Sequence, residues 1–291
     1  MKFKLLLSIA LLVGLLPSTN LHAQIYVANS GNYTIGEYSL TGGTLSASLI
    51  TGVVSSQSMT VVGSDLFSAN YGSSTIGEYT LTGGTVNASL FSGLNSPLGI
   101  AVSGLNLFAS SGNNNTIGEY TLAGGTTNAS LISNLNSPHG LAIVGSNIYV
   151  ANQGGTTIGE YTLTGGTVNA SFITGLNGPL GLAVSGSDLF VTNYNIGTIG
   201  EYTLTGGTVN AALVSGLTTP NSVAVSGSNL FVSNYNIGTV GEYTLTGGTV
   251  NAALISGLNN PTSIAVVPEP DCLMLIGLGG ALMALRRRRM N

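Results

Sequence analysis

The chain has 291 residues, 43% of them hydrophobic and only 5% charged, with a formal net charge of −4. That is enough apolar mass for a large core, yet the charged fraction is far below the roughly 25% of ordinary soluble domains. All Lys and Arg stand at the two ends (Lys2, Lys4, Arg286, Arg287, Arg288 and Arg289), so residues 25–267 set six Glu plus Asp65 and Asp188 against no cation, a formal charge of −8. Such a domain cannot neutralise phosphates, which excludes nucleic acid as a partner, and it gains nothing from anionic lipid headgroups.

Residues 1–23 read as a secretory signal peptide for signal peptidase. Lys2 and Lys4 supply the positive start, Leu5 to Leu16 the apolar run, and Pro17 the helix break, while Leu-His-Ala ending at Ala23 supplies the cleavage site. The apolar run is too short to span a bilayer. The one cysteine, Cys272, lies near the other end, so the exported domain carries no disulfide and depends on packing and backbone hydrogen bonds.

From Ile25 to Val267 the chain is a repeat. Gly-Glu-Tyr recurs with its carboxylate at Glu37, Glu78, Glu119, Glu160, Glu201 and Glu242, each interval being 41 residues. In the unit Pro179 to Gly216, strands are predicted over 181–185, 189–192, 198–204 and 209–214. The Gly206-Gly207 pair is expected to make a two-residue hairpin. Four short strands per ~40–45 residues are the pattern of a propeller blade. The expected fold is therefore all-β, a six-bladed β-propeller of four-stranded blades over 24–267. The first unit begins at its second strand, and a spare strand, Ser263 to Val267, follows the last unit. That strand is expected to enter the first blade and close the ring. The unit resembles the NHL and YVTN-type repeat families, with Phe-Val-Thr-Asn-Tyr at 190–194. It carries Asn29, Asn70, Asn152, Asn193 and Asn234 where those families often have Asp, and Ser111 in the third unit.

Residues 268–291 change character again: Pro268-Glu269-Pro270, then the apolar stretch Cys272 to Leu285, then Arg286 to Arg289. Fourteen residues make about 21 Å of helix, short of the ~30 Å hydrocarbon core, which snorkelling arginines and local thinning would complete. This order of parts resembles the PEP-CTERM sorting signal of Gram-negative bacteria that make extracellular polysaccharide. The resemblance implies processing by an exosortase-like enzyme, transient anchoring in the inner membrane by a short transmembrane helix, and delivery to the cell surface or extracellular matrix.

Catalytic chemistry is hard to find. The exported domain has one histidine, His139, no Cys, Lys, Arg or Trp, and no zinc-ligand spacing. Six-bladed propellers that it resembles include calcium-dependent lactonases, which use Glu, Asp and Asn around the channel. A divergent hydrolase of that kind is the alternative to a non-enzymatic binding or structural module. The repeated Glu ring is expected to be a duplicated surface feature that accepts hydrogen bonds, with calcium between blades as the alternative. The hairpin ends of the units hardly vary, whereas the opposite loops do. On that variable face His139, Leu180, Asn221 and Thr262 are expected at the channel mouth, with Tyr194 and Tyr235 offering rings for sugar stacking. The expected ligand is a neutral carbohydrate.

Overall fold

The computed structural model describes residues 23–267; residues 1–22, nearly all of the expected signal peptide, and the sorting tail 268–291 lie outside the described residues. The described chain folds as six four-stranded antiparallel sheets arranged in a ring. Blade five is typical: Pro179–Ser185 is innermost, then come Asp188–Asn193, Thr198–Thr203 and the outermost Thr208–Val214. Blade one is assembled from both ends of the domain. Pro261–Val267 is its innermost strand and pairs with Gln24–Asn29, with Gln24 opposite Val267 and Tyr26 opposite Ala265. The expected closure is therefore present.

The second strands are buried along nearly their whole length because neighbouring blades cover both of their faces. In blade one Ile25 and Val27 pack against blade six, while Tyr26 and Ala28 pack against blade two. The third strands explain Gly-Glu-Tyr. Residues two apart share a face, and the Tyr ring folds back over the Gly. A Cβ at Gly200 would stand 2.7 Å from the Tyr202 hydroxyl, and the same holds at Gly36 and Tyr38.

The outermost strands are edges. Their first five residues are exposed in blades two to six, and Val86, Val168, Val209 and Val250 are more than half exposed. Exposed, uncharged edges invite strand pairing, and two features counter that here. The register slips twice against the third strand, as between Glu201 opposite Asn210 and Tyr202 opposite Thr208. The side chain of Asn210 then accepts the Ala212 N–H at 3.1 Å, satisfying a donor of its own strand, as Asn87, Asn128, Asn169 and Asn251 do in their blades.

The turn assignment needs a correction. The Gly206-Gly207 link is a three-residue loop, Leu204 to Gly206. Gly206 N–H donates to Thr203 C=O at 2.9 Å, and Thr203 N–H donates to Gly207 C=O at 2.7 Å. Only Gly206 is left-handed, at φ +87°, giving a β-turn followed by a glycine bulge. The second glycine serves the Thr203 hydroxyl, which accepts its N–H at 2.9 Å. The two-residue hairpin lies instead at Gly186-Ser187, where Gly186 has φ +59° and Ser185 faces Asp188. Both turns lie at one end of the blade, the hairpin face; the variable loops lie at the other.

Candidate functional site

The innermost strands surround a cavity of about 100 Å³ on the ring axis. Each begins with three residues that divide the labour. The third of these is Ser in three consecutive blades, six, one and two (Ser222, Ser263, Ser58), and Gly in the other three (Gly99, Gly140, Gly181). Each serine hydroxyl accepts a backbone N–H of the next blade: Ser263 from Met59 at 2.9 Å, Ser58 from Ile100 at 3.3 Å and Ser222 from Ile264 at 3.3 Å. At the other junctions glycine allows closer approach, since a Cβ at Gly99 or Gly140 would run into the carbonyl oxygen of His139 or Leu180. Sequence reasoning passed over this ring, although a single repeat position switching between Ser and Gly was the available signal.

The residues expected at the channel mouth do come together. His139, Leu180, Asn221 and Thr262 all line the cavity with Gln57, and all four are buried. Thr262 is occupied structurally, its hydroxyl donating to Ser56 C=O at 2.5 Å and to Ala28 C=O at 3.3 Å. The carbonyls of His139 and Asn221 accept the hydroxyls of Ser110 at 2.7 Å and Thr192 at 3.3 Å. Their side chains are left over. Asn221 Oδ1 is buried without a hydrogen-bond partner, and the His139 ring bonds to none of the described residues. Burial pushes the His139 imidazole down to about 4, so it is neutral at physiological pH. The cavity is small beside the ~300–1,000 Å³ of small-molecule sites.

Tyr194 and Tyr235 lie on the same face but farther out, in the loops that follow the second strands of blades five and six. Both are half-buried, beside Ile196 and Ile237, each 55% exposed. The six loops differ in side chains and share a backbone. The fourth residue is left-handed in each (Tyr33, Ser74, Asn115, Thr156, Gly197, Gly238), and its C=O accepts an N–H from the following segment, as Gly197 does from Leu217 at 3.0 Å.

The Glu ring sits toward the hairpin face, on third strands away from the axis, and each Glu shares a blade face with the first residue of the second strand. In blades three, four and six that residue is Asn, whose Nδ2 donates to the carboxylate: Asn106 to Glu119 at 2.8 Å, Asn147 to Glu160 at 2.7 Å and Asn229 to Glu242 at 2.6 Å. Tyr149 adds its hydroxyl to Glu160 at 3.2 Å, and Tyr26 reaches Glu37 at 3.5 Å. Burial and the adjacent carboxylates push both phenols up. In blades two and five the partner is instead an acid, Asp65 or Asp188. Among the described residues no three His, Cys, Asp or Glu side chains converge as a metal would require.

Residues 266–289 match the PEP-CTERM protein-sorting motif. The chain carries an export and sorting signal. PEP-CTERM implies processing by exosortase-type machinery, and the motif takes in Val266 and Val267 of the closing strand. No curated protein matches the chain. Solved structures match its fold: a streptogramin B lyase (18% identity, TM-score 0.61, covering 82% of this chain and 91% of that one) and a nidogen/laminin complex (17%, 0.69, 84% and 98%). A gluconolactonase from Xanthomonas campestris is also similar (16%, 0.57, 67% and 73%). PEP-CTERM-bearing and six-bladed, this exported propeller shares its architecture with proteins of several kinds.

Proposed function

We propose that the PEP-CTERM propeller is a non-enzymatic module of the cell surface or extracellular matrix, binding neutral polysaccharide on its variable loop face. The observation that carries this reading is the chemistry of the axial cavity. Its lining has no carboxylate and no cation, and its one titratable group, His139, is neutral and unpaired. Hydrolysis by general acid–base or metal catalysis uses several such groups acting together, and His139, whose neutral ring could serve as a base or as a single ligand, has no carboxylate beside it in the lining. The loop face offers amides, hydroxyls and the Tyr194 and Tyr235 rings, which suit uncharged sugars, while the net −8 of the domain repels anionic polymers. The tail would anchor the protein in the inner membrane until it is processed.

The fold is shared with a gluconolactonase and a streptogramin B lyase, which keeps a calcium-dependent hydrolase as the second reading. The test is a neutral glycan array alongside a lactone and ester panel with calcium. Salt-insensitive glycan retention, weakened by Tyr194→Ala or Tyr235→Ala and without turnover, is the expected result. Calcium-dependent turnover would establish the hydrolase. Retention lost on a hairpin-face change such as Asp188→Ala, but not on Tyr194→Ala, would place the site on the wrong face.

A further inference from the structure

We infer that Asp65–Glu78 and Asp188–Glu201 are carboxyl pairs that take up a proton between them in mild acid, so that two opposite blades of the ring hold more tightly at low pH than at neutral pH. Asp65 lies opposite Thr80 and Phe67 opposite Glu78, while Asp188 lies opposite Thr203 and Phe190 opposite Glu201. Blade three has the same pairing, Asn106 opposite Thr121 and Phe108 opposite Glu119, and there the amide donates to the carboxylate at 2.8 Å. Replacing that Asn by Asp puts a second acceptor where the donor stood. Two carboxylates so placed repel each other unless one is protonated, when its O–H donates to the other and restores the bond. Blades two and five are three places apart in a ring of six, so the two pairs face each other across the axis.

No cation among the described residues neutralises the pairs. The outermost strand opposes Glu78 and Glu201 with neutral Asn87 and Asn210. The next blade packs Tyr120 and Tyr243 against the same faces, phenols that burial pushes up and keeps neutral. Lys and Arg are absent from the described residues. Glu78 and Glu201 are accordingly raised, by burial first and then by Asp65 and Asp188. A carboxyl whose folded pKa exceeds its unfolded one stabilises the fold below the unfolded value, and this contribution is lost as pH rises through the folded value. Glu37, raised by burial, adds to the same trend in blade one, and His139 opposes it. Both groups are untouched by changes in blades two and five, so the pairs are read by difference.

The experiment compares melting of the exported protein with its Asp65→Asn/Asp188→Asn variant, which recreates the Asn–Glu bonds of the other blades. The double variant should melt higher near neutral pH, by about 2–4 °C for each kcal/mol gained, and the gap should close near the ordinary carboxylate pKa. NMR titration should show the Glu78 and Glu201 midpoints moving to lower pH in the variant. Asn106→Asp should add a third pair and steepen the pH dependence. A gap that does not change with pH, or unmoved midpoints, would overturn the proposal. So would a neutral-pH rise in wild-type melting temperature with millimolar calcium that the double variant lacks, since a cation would then be bridging the pairs.

Discussion

Gly200 and Tyr202 are two residues apart on one strand, and the reason for their recurrence is steric: the ring needs the space that a side chain would fill. Sequence shows the recurrence of Gly-Glu-Tyr and the periodicity that puts Gly and Tyr on one face, but not the fold-back of the ring. The intervening Glu was legible as a hydrogen-bond acceptor. Its partners, Asn106, Asn147 and Asn229, were not, because they stand thirteen residues earlier on another strand and meet it only through register. His139 lines the axial cavity, and its burial depends on neighbours that no spacing reveals. That burial has a measurable consequence. With the folded pKa near 4 against an ordinary 6.5, the neutral ring stabilises the fold fully above pH 6.5, and the contribution falls as pH drops toward 4. The loss is on the order of 2–3 kcal/mol. Leu98 and Leu180 hold the same repeat position in blades three and five, so His139→Leu should fold. Melting curves from neutral to mildly acidic pH should show this variant losing less stability than wild type. Equal losses would mean that His139 is not buried as neutral imidazole.

Strands and turns differ in how well sequence foretells them. The strand positions of blade five came out within about two residues of the reading, because apolar character, Pro and Gly mark their bounds. The Gly206-Gly207 turn differs from its reading, because two adjacent glycines look like a two-residue hairpin, whereas the backbone needs only Gly206 left-handed and leaves Gly207 as a donor to Thr203. Closure was the most legible element, since a spare strand at one end answered a missing strand at the other. It can be tested by deleting Ser263 to Val267. The deletion removes buried Ile264 and Ala265 and leaves Gln24–Asn29 with an unpaired inner edge. Each large apolar side chain buried contributes about 1.5–3 kcal/mol, and the orphaned backbone groups add to the cost. Loss of a single cooperative transition, or aggregation, is expected by calorimetry and light scattering. Melting like that of wild type would show that blade one closes without this strand.

The described ring is built so that its two ends meet. Gln24 and Val267 are cross-strand partners in blade one, at the hairpin face, and the variable loops lie at the opposite end of every blade. The described chain therefore enters and leaves the ring on the face opposite the variable loops. The sorting motif starts at residue 266, inside the closing strand, so no spacer separates the folded ring from the signal. This restricts processing. A cut before Val267 would strip Gln24 of its cross-strand partner, and one before Val266 would strip Ile25 too, whereas a cut beyond Val267 leaves the ring complete. Intact-mass measurement on protein recovered from outside the cells should therefore give a species that begins at Gln24, retains Val267 and lacks Arg286 to Arg289. Released protein that still carries the four arginines would show that the motif is not processed. A C-terminus upstream of Val267, in a protein that still melts cooperatively, would show that the strand and the signal are separable after all.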